Sequence, residues 1–188
     1  MKLKRSIIIG LLILILFVVT ISIISGDNNM PPEKALNKFS KLIEKGNIDA
    51  ISLTIYYVDP FILSSVPWRV DVLINGGGNH KIVINGSDLK EHIGLLNQLS
   101  NVVLIPVEHE SHIDARMYYV FETKKNRKIF DVSMWGSNGS IFVNGLQVKE
   151  NYIFYDVVIP FMPEDAVKKE FERYIGRGKQ EETTSYSE

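Results

Sequence analysis

The pattern of apolar and polar positions divides the chain into three parts. Ser6–Ser25, SIIIGLLILILFVVTISIIS, runs for twenty positions without a charge. From there to Gly176, short apolar stretches alternate with turn residues. The end, 177–188, is polar and reads as a disordered tail.

The opening block predicts a transmembrane helix over residues 6–25. A helix of that length rises about 30 Å, the thickness of a bilayer's hydrocarbon core. Fifteen of its residues are Leu, Ile, Val or Phe. At roughly −0.3 to −0.6 kcal/mol each, they contribute about −4 to −9 kcal/mol to insertion. Lys2, Lys4 and Arg5 precede the block, while Asp27, Glu33 and a single Lys34 follow it. Positive flanks stay cytoplasmic. The expected layout is therefore a cytoplasmic tail (1–5), the span (6–25), a linker (26–32) and an extracytoplasmic domain (33–176). The rival reading is a cleaved export leader. It needs a shorter apolar core and small residues flanking the cleavage site. Here Ile24 occupies the −3 position for cleavage after Gly26, so the uncleaved anchor is the reading adopted. Gly10 alone makes no GxxxG pair for span dimerisation.

Beyond the linker the period becomes helical. Pro31 and Pro32 suit a first helical turn, Leu36, Phe39, Leu42 and Ile43 form a stripe, and Gly46 stops it. From Ile51 the period drops to two, which predicts a strand to Val58. Trp68, Val70, Val72 and Ile74 alternate in the same way and predict another strand. Asn75–Asn79 reads as a turn and Lys81–Asn85 as a strand. Asp88 and Glu91 suit a capping box, with Leu89, Ile93, Leu96 and Leu99 continuing one helix to Ser100. Val102–Val107, Met117–Thr123, Lys128–Met134, Ser140–Val143 and Leu146–Val148 follow as strands, the last two joined by the hairpin signal Asn144-Gly145. Residues 150–159 read as strand by composition and as helix by the spacing of Phe154, Val157, Val158 and Phe161, with the duplication favouring helix, and a final helix is expected over 164–175.

Two stretches share an order of short motifs. Ile48-Asp49-Ala50, Tyr56-Tyr57-Val58, Asp71-Val72, Asn85-Gly86 and Lys90-Glu91 run parallel to Ile113-Asp114-Ala115, Tyr118-Tyr119-Val120, Asp131-Val132, Asn144-Gly145 and Lys149-Glu150. An internal duplication explains this, and so does the ordinary recurrence of aromatic and turn signals in antiparallel sheets. The expected fold class is α+β: an antiparallel sheet with helices on one face. Over residues 33–160 the arrangement resembles, in architecture and without a shared motif, tandem helix-plus-four-strand extracellular inhibitor and regulator domains such as the β-lactamase-inhibitor-like class. That resemblance implies two such units and a regulatory role.

Composition narrows the chemistry. The chain has no cysteine, which excludes a disulfide framework, a thiolate metal site and a lipidated cysteine. Lys2, Lys4 and Arg5 are three of the 21 basic residues, so 18 face 22 acids outside the membrane. A mildly acidic exterior argues against nucleic acid as a partner. Abundant Ile, Asn and Lys with only four Ala point to an AT-rich bacterial coding sequence.

The densest set of ligand-type side chains is His109, Glu110, His112 and Asp114. Two imidazoles and nearby carboxylates suit zinc. The spacing His-x-x-His is one residue short of the helical His-Glu-x-x-His motif, and a solvated loop is the simpler reading. Gly76-Gly77-Gly78 lacks the Lys-Ser/Thr of a phosphate loop. Asn85-Gly-Ser and Asn138-Gly-Ser match a glycosylation pattern and are read as turns. Tyr56, Tyr118, Trp68 and Trp135 could form an aromatic binding face, though packing is the reading preferred. No nucleophile elbow accompanies His80, His92, His109 or His112. The adopted expectation is a membrane-anchored, non-catalytic binding, sensing or inhibitory module. It needs no cofactor or metal, and its partners are the lipid bilayer and a protein at the outer membrane face. The alternative is a metal-assisted hydrolase at that face built on His109, His112 and Asp114.

Overall fold

The computed structural model describes residues 30–58, 64–134 and 139–163. The expected span, Trp135, Asn138, the helix over 164–175 and the polar tail lie outside the described residues. No helix among the described residues is long and apolar enough to cross a membrane. A compact unit begins at Pro31.

The class is α+β, with one six-stranded antiparallel sheet and a few helices. Helix α1 (Pro32–Glu44) is followed by a 3-10 turn (Asn47–Ala50) and strand β1 (Ile51–Val58). Then come α2 (Val70–Asn75), β2 (Asn79–Asn85), α3 (Gly86–Lys90) and α4 (Ile93–Ser100). Strands β3 (Met117–Thr123), β4 (Lys128–Met134), β5 (Ile141–Val143) and β6 (Leu146–Val148) form a meander. α5 (Ile153–Asp156) and a 3-10 turn (Ile159–Phe161) follow it. The strand order is β2-β1-β3-β4-β5-β6.

Alternation along each strand builds two distinct faces. Leu53, Ile55 and Tyr57 stand opposite Phe121, Tyr119 and Met117, and these face α1. There Phe39, from the stripe expected in α1, meets Phe121 at 4.8 Å and Phe130 at 5.2 Å between ring centroids. Such pairs add about 0.5–1.5 kcal/mol each beyond the area they bury. The second face carries Thr54, Tyr56 and Val58 beside Val120 and Tyr118. Expecting all helices on one face is corrected here. Helix α2 lies on the second face, where Leu73 packs with Val58, Ala115, Tyr118 and Val120.

Several elements depart from expectation for identifiable reasons. Residues 68–74 alternate like a strand, yet 70–75 are helical. Val70, Leu73 and Ile74 share one helical side toward the sheet, with Leu73 fully buried and Val72 turned out to solvent. Asn79 Nδ2 donates to the carbonyls of Leu73 and Ile74 (2.6 and 2.9 Å), satisfying the end of α2.

The helix expected to continue through residues 88–100 is instead two. Helix α3 is held to the 3-10 turn by Lys90 Nζ–Asp49 Oδ2 (2.6 Å), whereas α4 packs on α1 and α5. No side chain caps α3, so the Asp88–Glu91 capping box does not form. Val102–Val107 joins β6 only through a Pro106–Val148 bridge, flanked by the hydrogen bonds Val107 N–H to Gln147 C=O and Lys149 N–H to Ile105 C=O.

Of the paired motifs, Tyr56-Tyr57-Val58 and Tyr118-Tyr119-Val120 both lie on strands, β1 and β3, and others fall on unlike elements. Asp71-Val72 lies in α2 and Asp131-Val132 in β4; Asn85-Gly86 opens α3 and Asn144-Gly145 turns the β5–β6 hairpin. Lys149 and Glu150 stand between β6 and α5, and 153–156 supply a single helical turn where 150–159 reads as helix. One sheet, with two strands before residue 100 and four after it, stands where the resemblance implies two four-stranded units.

Candidate functional site

The second face of the sheet is where the chemistry-bearing side chains collect. Tyr56 and Tyr118 are cross-strand partners, because β1 and β3 pair in that register, and their rings lie 6.2 Å apart. Lys81 Nζ sits 5.3 Å from the Tyr56 ring. On the other side, the Tyr118 hydroxyl hydrogen-bonds Asp131, and Asp131 Oδ2 accepts from Lys128 Nζ at 2.7 Å. The row Lys81–Tyr56–Tyr118–Asp131–Lys128 thus crosses four strands. Burial, and then the Asp131 carboxylate, push the Tyr118 phenol well above its ordinary value.

Trp68 packs beside this row, against the cluster that includes Tyr118. Its backbone N–H donates to Asp114 Oδ1 (2.9 Å), its C=O accepts from Ala115 N–H (2.7 Å), and its Nε1 donates to Ser64 Oγ (2.9 Å). The Arg116 guanidinium stacks 5.2 Å over the indole, and its Nε pairs with Asp114 at 3.3 Å. The side chains of Arg116 and Asp114 are only 16% and 8% exposed. Cation–π and ionic contacts are worth more at such dry positions than on the surface. Three of the four aromatic residues singled out in the sequence, Tyr56, Tyr118 and Trp68, are therefore brought together, but as packing. Tyr118 is buried, and Tyr56 and Trp68 pack against the Leu73 cluster.

The ligand-type set from the 108–114 loop is not gathered. Asp114 is turned toward Arg116 and Trp68. Glu110 and His112 instead line a recess of about 480 Å³ with Arg69, Ser111, Ile113 and Phe142. Among the described residues, no three His, Asp or Glu side chains converge on a point that could hold a metal. The Ser111 hydroxyl bonds Ser140 Oγ (2.8 Å) and Gln147 Oε1 (3.2 Å), and Gln147 Nε2 donates to Ser140 (2.9 Å). This closed polar ring ties the loop to the β5–β6 hairpin. It gives Ser111 a structural part.

Other candidates find ordinary places. His80 belongs to β2 and stacks on Tyr57 at 4.9 Å. His92 lies between α3 and α4, edge-on to Phe161 at 4.9 Å. The Gly76–Gly78 stretch joins α2 to β2, and Gly78 takes φ +85. Asn85-Gly86-Ser87, read as a turn, opens α3 instead.

Arg69, Arg116, Asp131, Ser140 and Gln147 were not singled out from sequence. One signal was present: polar residues at inward strand positions, such as Gln147 between Leu146 and Val148, mark where a sheet face carries a hydrogen-bond network. No protein-family model, curated protein or solved structure matches this chain.

Proposed function

We propose that this is a single-pass protein of the cell membrane, with its N-terminus cytoplasmic and its α+β domain extracytoplasmic. Its role is that of a non-catalytic binding, sensing or inhibitory module. The observation that carries the reading is the uncharged run Ser6–Ser25 behind Lys2, Lys4 and Arg5. Two features of the domain support it. The compact unit starts at Pro31, a short linker beyond that run. Its polar side chains form closed structural networks, as at Asp114–Arg116–Trp68 and Ser111–Ser140–Gln147. The partners of this reading are the lipid bilayer, through residues 6–25, and a protein at the outer membrane face.

Topology is the direct test. A C-terminal epitope on the full chain should be digested by protease added to intact cells stripped of their outer layers, and the chain should resist alkaline extraction from membranes. Release of a shortened chain into the medium would overturn the reading, as would protection of the epitope until the membrane is broken. For the role, capture of the full chain from solubilised membranes should bring down one stoichiometric protein that a domain-less tether does not.

A further inference from the structure

Strand β2 ends the sheet, and the parity of the ladder tells which of its backbone groups are in use. Val58 N–H donates to Arg116 C=O (3.1 Å) and Lys124 N–H to Ala50 C=O (3.0 Å). The even residues of β1 therefore bond toward β3, and the odd ones toward β2. Leu53, Ile55 and Tyr57 face Ile84, Ile82 and His80. The N–H and C=O groups of Asn79, Lys81, Val83 and Asn85 consequently point away from the sheet. Among the described residues no strand pairs with this edge, and Val83 is 55% exposed.

The opposite edge is managed differently. There, Val107 N–H donates to Gln147 C=O and Lys149 N–H to Ile105 C=O, so the next outward positions are Leu104 and Pro106. Pro106 offers no N–H and blunts that edge. β2 pairs with β1 over seven residues without a bulge, has no proline, and carries one charged side chain, Lys81. A regular edge of this length, left unprotected, is a template for another strand.

We propose that β2 pairs antiparallel with β2 of a second copy of this chain, about a two-fold axis at Ile82. This register uses all four outward residues: 79 opposite 85 and 81 opposite 83, each twice by symmetry. It gives about six hydrogen bonds, two for each 81–83 pair and one for each 79–85 pair, because the Asn85 C=O, at the N-cap of α3, is taken by the helix. Lys81 then lies opposite Val83, so its alkyl stem covers the exposed valine and no like charges meet. Centring on Lys81 would set two ammonium groups face to face and drop Asn85 from the ladder. Centring on Val83 would drop Asn79. The self-complementary register is what selects a second copy over an unrelated strand.

The absence of cysteine makes the test clean. At the axis, Ile82 meets its own copy in a non-hydrogen-bonded pair, with Cα atoms about 4.5 Å apart. That separation lies inside the range a disulfide spans. Ile82→Cys in the full chain, mildly oxidised in its own membranes, should give a covalent dimer on non-reducing gels. Val103→Cys, 79% exposed near the blunted edge, should stay monomeric. Adding Val83→Lys to Ile82→Cys sets an ammonium opposite the partner's Lys81 at both symmetry-related sites, and should lower dimerisation on the order of tenfold. Light scattering on the unmodified chain in micelles should report two copies per particle, which decides the matter even if a cysteine variant misfolds. One copy per particle would overturn the proposal. So would cross-linking of Ile82→Cys no faster than Val103→Cys, or to a different protein.

Discussion

Gly86 is a position where the fold tolerates no side chain, and adding one methyl group measures that. Gly86 opens α3, with its backbone pressed against the 3-10 turn before β1. A Cβ built there meets the Ile48 carbonyl oxygen first, then lies 2.6 Å from Asp49 Cα and 2.8 Å from the Ile48 carbonyl carbon. All three are backbone atoms, so no side chain can rotate away. Either the turn or α3 must move, and Lys90–Asp49 (2.6 Å) ties the two together. Overpacking of this kind costs about 1–3 kcal/mol. The stiffer alanine returns up to about 1 kcal/mol by narrowing the unfolded ensemble. Gly86→Ala should therefore destabilise the domain by about 2 kcal/mol, at the upper end of what one methyl group does. Urea unfolding of the full chain in micelles, followed by tryptophan fluorescence, should show a midpoint lower by about 1 M. Gly77→Ala is the control: its Cβ would meet nothing within 4 Å, and it should be neutral or mildly stabilising. Equal midpoints for the two variants would refute the packing described at Gly86.

Asp114→Ala removes the acceptor of the Trp68 N–H and the partner of a half-dry arginine, and should cost about 2–4 kcal/mol. It should also shift Trp68 emission to the red, whereas Asp71→Ala, which breaks the exposed Arg69 pair, should change the unfolding midpoint little. Tyr119 is fully buried and its hydroxyl meets no hydrogen-bond partner, so Tyr119→Phe should be neutral or stabilising by up to about 1 kcal/mol. The phenols of Tyr118 and Tyr119 are both raised, chiefly by burial. The folded state keeps their protons while the unfolded chain releases them near pH 10, so this contribution is intact below pH 10 and falls above it. The loss is about 1.4 kcal/mol per pH unit per tyrosine. Unfolding midpoints measured from pH 8 to 11 should drop, and Tyr118→Phe with Tyr119→Phe should flatten the drop. Metal analysis of the purified chain should find no stoichiometric ion, and a chelator should leave its thermal midpoint unchanged. A bound ion lost on His109→Ala/His112→Ala would restore the hydrolase alternative.

Strands such as 117–123 and 128–134 could be read from sequence because runs rich in β-branched and aromatic residues, bounded by turn residues, are a local signal. The misreadings share one cause: partners distant along the chain. Trp68, Val70, Val72 and Ile74 satisfy a strand period, while Val70, Leu73 and Ile74 satisfy a helical one. The decision falls to the second face of the sheet, which offers Leu73 a socket between Val58 and Val120, and to Asn79, which satisfies the end of the helix. Likewise, the break at Glu91 and His92 follows from α3 being fixed to the turn at Asp49 while α4 packs against α1.

The candidate site was less legible than the fold, because it depends on which faces and loops meet. His109, Glu110, His112 and Asp114 are neighbours in sequence, yet Asp114 is drawn toward Trp68, 46 positions away. A carboxylate with a backbone N–H and a guanidinium to satisfy is a structural anchor, and among the described residues no three ligand-type side chains converge. Sequence density of ligand-type residues draws attention to this loop, and hydrogen bonding ties its Asp114 to Trp68 and its Ser111 to the β5–β6 hairpin. The same logic locates open valences elsewhere: the polar groups of the second face are engaged with one another, while the outward backbone of β2 faces solvent beside an exposed valine. Recognition by this domain is therefore sought first along that strand, where unused donors and acceptors stand in regular order.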